Sequence, residues 1–104
     1  DTALKAKFPT MSIQGNDYFF TTSAGMEIHM FRTTFRRQAG YNINTIRAAD
    51  KTKGRPSFFT IPETEAALIL LVDLLKSIDN LPTVAAVEAQ INARESAFAD
   101  TYPE

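Results

Sequence analysis

The sequence predicts one α+β domain, residues 1–104, in which an antiparallel β-sheet of four to five strands is followed by two α-helices packed on one of its faces. Three observations indicate this fold. A chain of 104 residues suits a single hydrophobic core. Turn-forming residues recur about every ten positions up to residue 61, as in an antiparallel meander. From residue 62 onward, the spacing of apolar residues becomes helical.

The sheet is predicted to occupy residues 1–61, which are rich in aromatic and basic side chains. Short turn clusters that contain Gly15, Gly25 or Gly40 separate its strands. The predicted strands are residues 8–14, 18–22, 26–37, 41–48 and 57–61. Because each strand follows the previous one after a short turn, we expect consecutive strands to pair in an antiparallel way.

Side chains alternate between the two faces of a strand, so the longer strands indicate which residues face the core. Met26, Ile28 and Met30 share one face of the third predicted strand. Beyond Met30 this face becomes polar, so either the end of the strand leaves the core or a β-bulge switches its faces. In the fourth predicted strand, Tyr41 and Arg47 are expected on the same side.

The helical part is predicted over residues 62–99. Thr60 and Glu63 have the spacing of a capping box at the start of its first helix. The buried stripe of this helix consists of Ala67, Leu68, Leu71, Leu74, Leu75 and Ile78. Ile69 and Val72 lie off the stripe and need cover from another helix or another subunit. We therefore expect them at the interface of a homodimer.

Charge divides the chain near residue 61. Residues 1–60 carry nine Lys or Arg and four Asp or Glu, whereas residues 61–104 carry two and eight. The acidic part includes a second predicted helix, residues 83–99, and an acidic tail, residues 100–104, which could recruit a protein partner. The basic part is a candidate site for an anionic ligand.

Composition argues against catalytic and metal-binding chemistry. The chain has no cysteine and one histidine, which excludes disulfides, thiolate sites and multi-histidine sites. It has neither a Walker sequence nor a G-x-G-x-x-G motif. His29 could act as a general base oriented by Glu27, but a partly exposed contact between the two is the simpler interpretation. We expect no enzyme activity, no cofactor and no metal.

The sequence shows no targeting or membrane-spanning segment. Residues 1–8 lack the apolar stretch of a signal peptide. The longest apolar run, residues 66–72, has seven residues and is too short to cross a bilayer. Because the chain also lacks cysteine, we expect a cytoplasmic protein with no membrane partner.

Basic and aromatic residues are interleaved within residues 32–55. Single-stranded nucleic acid needs both kinds of group, because cations neutralise phosphates and exposed rings stack on unpaired bases. The predicted binding residues are Arg32, Phe35, Arg36, Arg37, Tyr41, Arg47, Lys51, Lys53 and Arg55. Tyr18 and Phe19 are further candidates for stacking. Whether the ligand is DNA or RNA stays open.

Two other interpretations stay open at this point. In the first, Phe31, Phe35 and Phe58 belong to the core, and the arginines only solvate an outer face. In the second, the protein is a small interaction or inhibitor module, for example one encoded by a phage, that docks on a basic partner through its acidic helical part.

Two stretches of the chain carry a family resemblance. GRPSFFTIPETEAALILLVDLLKSIDNL, residues 54–81, joins a basic loop to a short strand and an amphipathic helix, and GMEIHMFRTTFRR, residues 25–37, alternates aliphatic, aromatic and basic residues. Together they resemble the positive transcriptional coactivator family (positive cofactor four), which also has bacterial and bacteriophage members. Residues 41–48 and 83–99 have no counterpart in that pattern.

The resemblance implies a curved antiparallel sheet followed by a helix, a dimer, and single-stranded DNA bound across the concave face of the sheet. It places Arg32, Phe35 and Arg37 along the binding strand. It places Lys53 and Arg55 on the basic loop.

Overall fold

The computed structural model describes residues 2–54 and 59–102. Within these residues, the order of elements is α1 (Thr2–Lys7), β1 (Ser12–Gln14), β2 (Asp17–Thr21), β3 (Glu27–Phe35), β4 (Gln38–Arg47), β5 (Thr60–Pro62), α2 (Glu65–Ser77), α3 (Val84–Ala93) and α4 (Glu95–Ala99). The strands form one sheet in sequence order, and each is antiparallel to the next. The predicted α+β class and antiparallel meander are confirmed.

The helical segments differ from the prediction in number. The predicted second helix, residues 83–99, is two helices, because the chain leaves helical geometry at Arg94 between α3 and α4. A short helix, α1, also precedes the sheet, where we predicted no helix. The helix α2 begins one residue after Thr64, whose hydroxyl accepts a hydrogen bond from the Ala67 N–H at 3.2 Å. The predicted capping box at Thr60 is therefore wrong, since Thr60 belongs to β5.

A β-bulge in β4 changes which residues of this strand face the core. His29 of β3 lies opposite Thr45, but the next residue, Met30, lies opposite Ile43. Asn44 is thus the extra residue of β4. An inserted residue reverses the alternation of faces that follows it.

The bulge determines which face of the sheet Tyr41 and Arg47 occupy. Tyr41 points into the core, and after the bulge Ile46 does so as well, whereas Arg47 lies exposed on the other face. The predicted common side for Tyr41 and Arg47 is wrong. On β3, the end of the strand leaves the core, as the first of the two predicted alternatives has it. Arg32 and Thr34 continue the core face of this strand but are exposed.

Buried side chains of the sheet and the helices form one hydrophobic core. The sheet contributes Tyr18, Phe20, Ile28, Met30, Tyr41, Ile43, Ile46 and Ile61, and the helices contribute chiefly Leu71, Leu74, Leu75, Val87, Ile91 and Phe98. The rings of Tyr18 and Tyr41 meet edge to face, with centroids 5.3 Å apart. Within the described part of the chain, no helix combines the length and the apolar composition needed to cross a bilayer.

The β3–β4 hairpin closes through the two residues Arg36 and Arg37. Both have positive φ angles, 53° and 64°. A two-residue hairpin loop of this kind is a type I′ turn, in which Asn and Gly are the preferred residues. Each arginine is held in the left-handed region at a cost of about 1–2 kcal/mol. The tip of the hairpin therefore carries two cations in a strained backbone.

Candidate nucleic-acid interface

The face of the sheet opposite the core is called the open face below. Its side chains come from alternate positions of the strands, as fixed by the registers of β2, β3 and β4. They are Asp17, Phe19, Thr21, Glu27, His29, Phe31, Thr33, Phe35, Gln38, Asn42, Thr45 and Arg47. The buried side chains of the described helices all belong to the core on the other side. The open face is therefore where a ligand could lie on the sheet.

Three rings form an aromatic row on the open face. Phe19 and His29 are stacked, with centroids 4.6 Å apart and planes only 10° from parallel. Phe31 follows, 6.5 Å from His29 and tilted by 46°. All three side chains are partly exposed. Partly exposed rings on a sheet surface can stack on unpaired bases.

His29 is fixed in place by polar neighbours on both sides. Its Nε2 lies 2.9 Å from Asp17 Oδ1, and its Nδ1 lies 3.1 Å from the side-chain nitrogen of Asn44. With the Asn44 amide as donor to Nδ1, the Nε2–H donates to Asp17. The carboxylate partner of His29 is thus Asp17 and not Glu27. The bulge residue Asn44 helps to orient the central ring of the row.

One end of the open face is cationic and contains a cavity. The cavity has a volume of about 290 Å³ and is lined by Phe19, Glu27, His29, Thr45, Arg47, Lys53 and Gly54. Arg47 and Lys53 are exposed and joined by an isolated β-bridge, and Lys51 is exposed in the same loop. The Gly54 N–H donates to the Ile46 carbonyl at 2.7 Å, which holds the loop against β4. The predicted residues Arg47, Lys51 and Lys53 are therefore brought together.

The opposite end is also cationic. The Arg36 guanidinium lies 5.0 Å from the centroid of the Phe35 ring and 6.0 Å from that of Tyr102. The Tyr102 hydroxyl donates to the Thr60 carbonyl at 2.6 Å, which anchors this cluster to β5. Phe35 is 43% exposed. Arg36 and Arg37 are exposed beside it, at the hairpin tip.

Three predicted stacking or binding residues lie elsewhere. Tyr41 and Tyr18 are buried in the core and cannot stack on a ligand, and burial raises the pKa of Tyr41. Arg32 lies on the core side of β3, and its guanidinium pairs with Glu63. The hydrogen bond to Glu63 raises the pKa of Arg32. The stacking predictions for Tyr41 and Tyr18 are wrong, the structure places Arg32 off the open face, and the prediction for Arg55 lies outside the described residues.

Two residues of the aromatic row were not among the predicted binding residues. The sequence allows Phe31 to belong to the core, and it allows His29 to be a base or a partly exposed contact of Glu27. The alternation along β3 already placed both on the face opposite Ile28 and Met30. If the face of β3 that carries Ile28 is taken as the core face, the alternation of side chains places His29 and Phe31 on the open face.

The predicted dimer residues lie on a different surface. Ile69 and Val72 line a groove of about 420 Å³ between α1 and α2, together with Leu4, Lys7, Glu65 and Leu68. Ile69 is 64% exposed and shares the groove with the partly exposed Leu68 and Val72, so the exposed apolar surface is contiguous. This groove is called the α1–α2 groove below.

Comparisons with known proteins identify no relative. The chain matches no family model, no curated protein and no solved structure. The resemblance to the positive cofactor four family stays a prediction from its sequence motifs.

Proposed function

We propose that this protein binds single-stranded nucleic acid, DNA or RNA, along the open face of its sheet. The observation that carries this proposal is the aromatic row of Phe19, His29 and Phe31 between two cationic ends. Bases can stack on rings whatever their sequence, and phosphates can pair with the cations. Because both ring nitrogens of His29 are engaged by neighbours, its role is that of a stacking ring rather than a catalytic base.

The dimensions of β3 support a bound strand that runs along it. From Glu27 to Phe35 the nine residues of β3 span about 26 Å. Arg47 and Lys53 lie at one end of this path, and Arg36 and Arg37 lie at the other. A strand of a few nucleotides could therefore contact phosphates at both ends while its bases stack between them.

The strained hairpin tip also supports a binding role. A backbone that requires left-handed geometry at two successive positions favours Asn and Gly, yet both positions are arginine. Backbone strain of this kind is typical of functional sites, where a residue needed for binding or catalysis lowers the stability of the fold. Here the chemistry is two guanidinium groups beside Phe35.

The hairpin tip offers a direct test. The variant Arg36→Asn/Arg37→Gly should be more stable to unfolding than the wild type, by about 1 kcal/mol, because it relieves the backbone strain. It should bind labelled oligonucleotides more weakly. The slope of its log affinity against log salt concentration should be less steep than that of the wild type. The difference should be up to about 1.4 if both arginines contact phosphates. Urea denaturation and fluorescence anisotropy at several salt concentrations measure these effects.

The matched control for this experiment is Lys76→Gln, which removes one positive charge from an exposed position of α2. It should leave the affinity and the salt slope unchanged. If the wild type binds no single-stranded oligonucleotide even at low salt, the proposed function is wrong. A protein-interaction module would then be the better interpretation.

We also propose that two copies of the chain associate through the α1–α2 groove. The groove is almost wholly apolar, and its charged residues are one cation, Lys7, and one anion, Glu65. A two-fold interface brings the same patch of both copies together. Lys7 of one copy would then lie near Glu65 of the partner subunit, so that the interface is complementary to itself in charge.

A charge placed in the groove tests the dimer. Ile69→Asp should convert a dimeric wild type to a monomer, because it would bury an unpaired carboxylate in an apolar interface. Sedimentation equilibrium of both proteins measures the change. The control, Ala66→Asp, adds the same charge at an exposed position of α2 outside the groove and should leave the dimer intact. A monomeric wild type would contradict the proposal.

A further inference from the structure

We infer that the cavity at the Arg47 end of the open face selects guanine from the bound strand. The inference rests on the proposed function, because it assigns one base to one part of the same surface. Its starting point is that Glu27, Arg47 and Lys53 line one cavity of about 290 Å³. Ligand sites are typically cavities of this order that hold a few converging polar groups.

These three charged side chains are unpaired within the described part of the chain. Glu27 and Arg47 are direct cross-strand partners on β3 and β4. Opposite charges in that position ordinarily attract each other. The ion pairs among the described residues nevertheless involve other side chains, namely His29 with Asp17, Arg32 with Glu63 and Arg94 with Asp73. Towards the described residues, the Glu27 carboxylate and the Arg47 guanidinium therefore keep their hydrogen-bonding capacity for a ligand.

The combination of a carboxylate and a guanidinium matches guanine better than the other bases. A carboxylate offers two acceptor oxygens, and guanine presents two adjacent donors, its N1–H and its exocyclic amine. An arginine offers two parallel donors, and guanine presents two adjacent acceptors, O6 and N7. Adenine, cytosine and thymine do not offer both pairs. Glu27 and Arg47 could thus read two adjacent edges of one guanine.

The remaining walls of the cavity suit a nucleotide. The stacked rings of Phe19 and His29 supply an aromatic surface beside the charged groups. Thr45 has a short side chain, whereas the space that a Cβ atom of Gly54 would occupy is filled by Glu88 and Val84. Lys53, whose backbone pairs with that of Arg47, is placed to neutralise the phosphate of the same nucleotide. The base and the phosphate of a guanosine nucleotide therefore each have a partner in the cavity.

Free mononucleotides test the cavity independently of strand binding. In an NMR titration, GMP should shift the amide signals of Thr45 and Gly54 and should bind about tenfold more tightly than IMP, AMP or CMP. IMP is the sharpest comparison, because it differs from GMP only by the amine that Glu27 is expected to bind. Equal affinity for all four mononucleotides would overturn the inference.

Oligonucleotides test the role of Glu27. An oligo-dT that contains one dG should bind the wild type about tenfold more tightly than oligo-dT alone. In Glu27→Gln this preference should largely disappear, while the affinity for oligo-dT should not fall, since a negative charge has been removed. Glu95→Gln makes the same charge change on α4 and should keep the preference.

The outcomes separate this inference from the proposed function. If oligo-dT binds but the added dG gives no gain, or Glu27→Gln retains the gain, strand binding stands and guanine selection is wrong. If no oligonucleotide binds but GMP does so with the stated preference, the cavity is a guanine site and the proposed function is wrong.

Discussion

Gly40→Ala is expected to destabilise the protein by about 3 kcal/mol, because the added methyl group would overlap backbone atoms that cannot rotate away. A Cβ atom at Gly40 would overlap the carbonyl oxygen of Ile61 and lie 3.1 Å from the Ile61 carbonyl carbon and 3.2 Å from Pro62 Cα. These atoms belong to β5, which pairs with β4 at this point. The variant should therefore detach β5 or leave it strained. Urea denaturation measures the loss in the free energy of unfolding.

Gly15→Ala is the control that separates steric overlap from backbone conformation. Gly15 has a φ angle of 63°, but a Cβ atom there would meet no other atom within 4 Å. Its replacement should cost about 1 kcal/mol through the left-handed backbone alone. If Gly40→Ala proves no worse than Gly15→Ala, the close approach of β4 and β5 is not important for stability.

The sequence predicts the sheet well because strand alternation is a local property. Met26, Ile28 and Met30 were assigned to one face, and all three are buried. Turn clusters at Gly15 and Gly25 were also placed correctly, and both glycines have positive φ angles. Information of this kind lies within a few neighbouring residues, so no knowledge of the fold is needed to read it.

The candidate site is less predictable, because it depends on contacts between distant residues. The bulge at Asn44 exists only in relation to the register of β3, and it decides which face Arg47 occupies. Arg32 lies on the core side of β3 and pairs with Glu63, 31 positions further along the chain. Composition could not tell which aromatics fill the core, and it favoured Tyr41, which is buried, over Phe31, which is not. The composition of residues 1–61 nevertheless predicts that basic and aromatic side chains lie on the sheet.

Removal of two rings of the aromatic row is expected to have the largest effect on binding. Phe19→Ala/Phe31→Ala takes away the neighbours on both sides of His29. Base stacking on an aromatic side chain contributes about 1–3 kcal/mol per base, so the affinity should fall about 30-fold or more. Because both rings are partly exposed on the open face, the variant should remain folded. Fluorescence anisotropy with a labelled oligonucleotide measures the loss.

The salt dependence of this variant distinguishes stacking from a general disturbance of the surface. No charge is removed, so the slope of log affinity against log salt should stay that of the wild type while the affinity itself falls. Phe8→Ala is the control, because Phe8 is also partly exposed but packs on Phe20 at the core side, with ring centroids 5.1 Å apart. It should leave the affinity unchanged. Equal affinities of the double variant and the wild type would show that the bound strand does not stack on these rings.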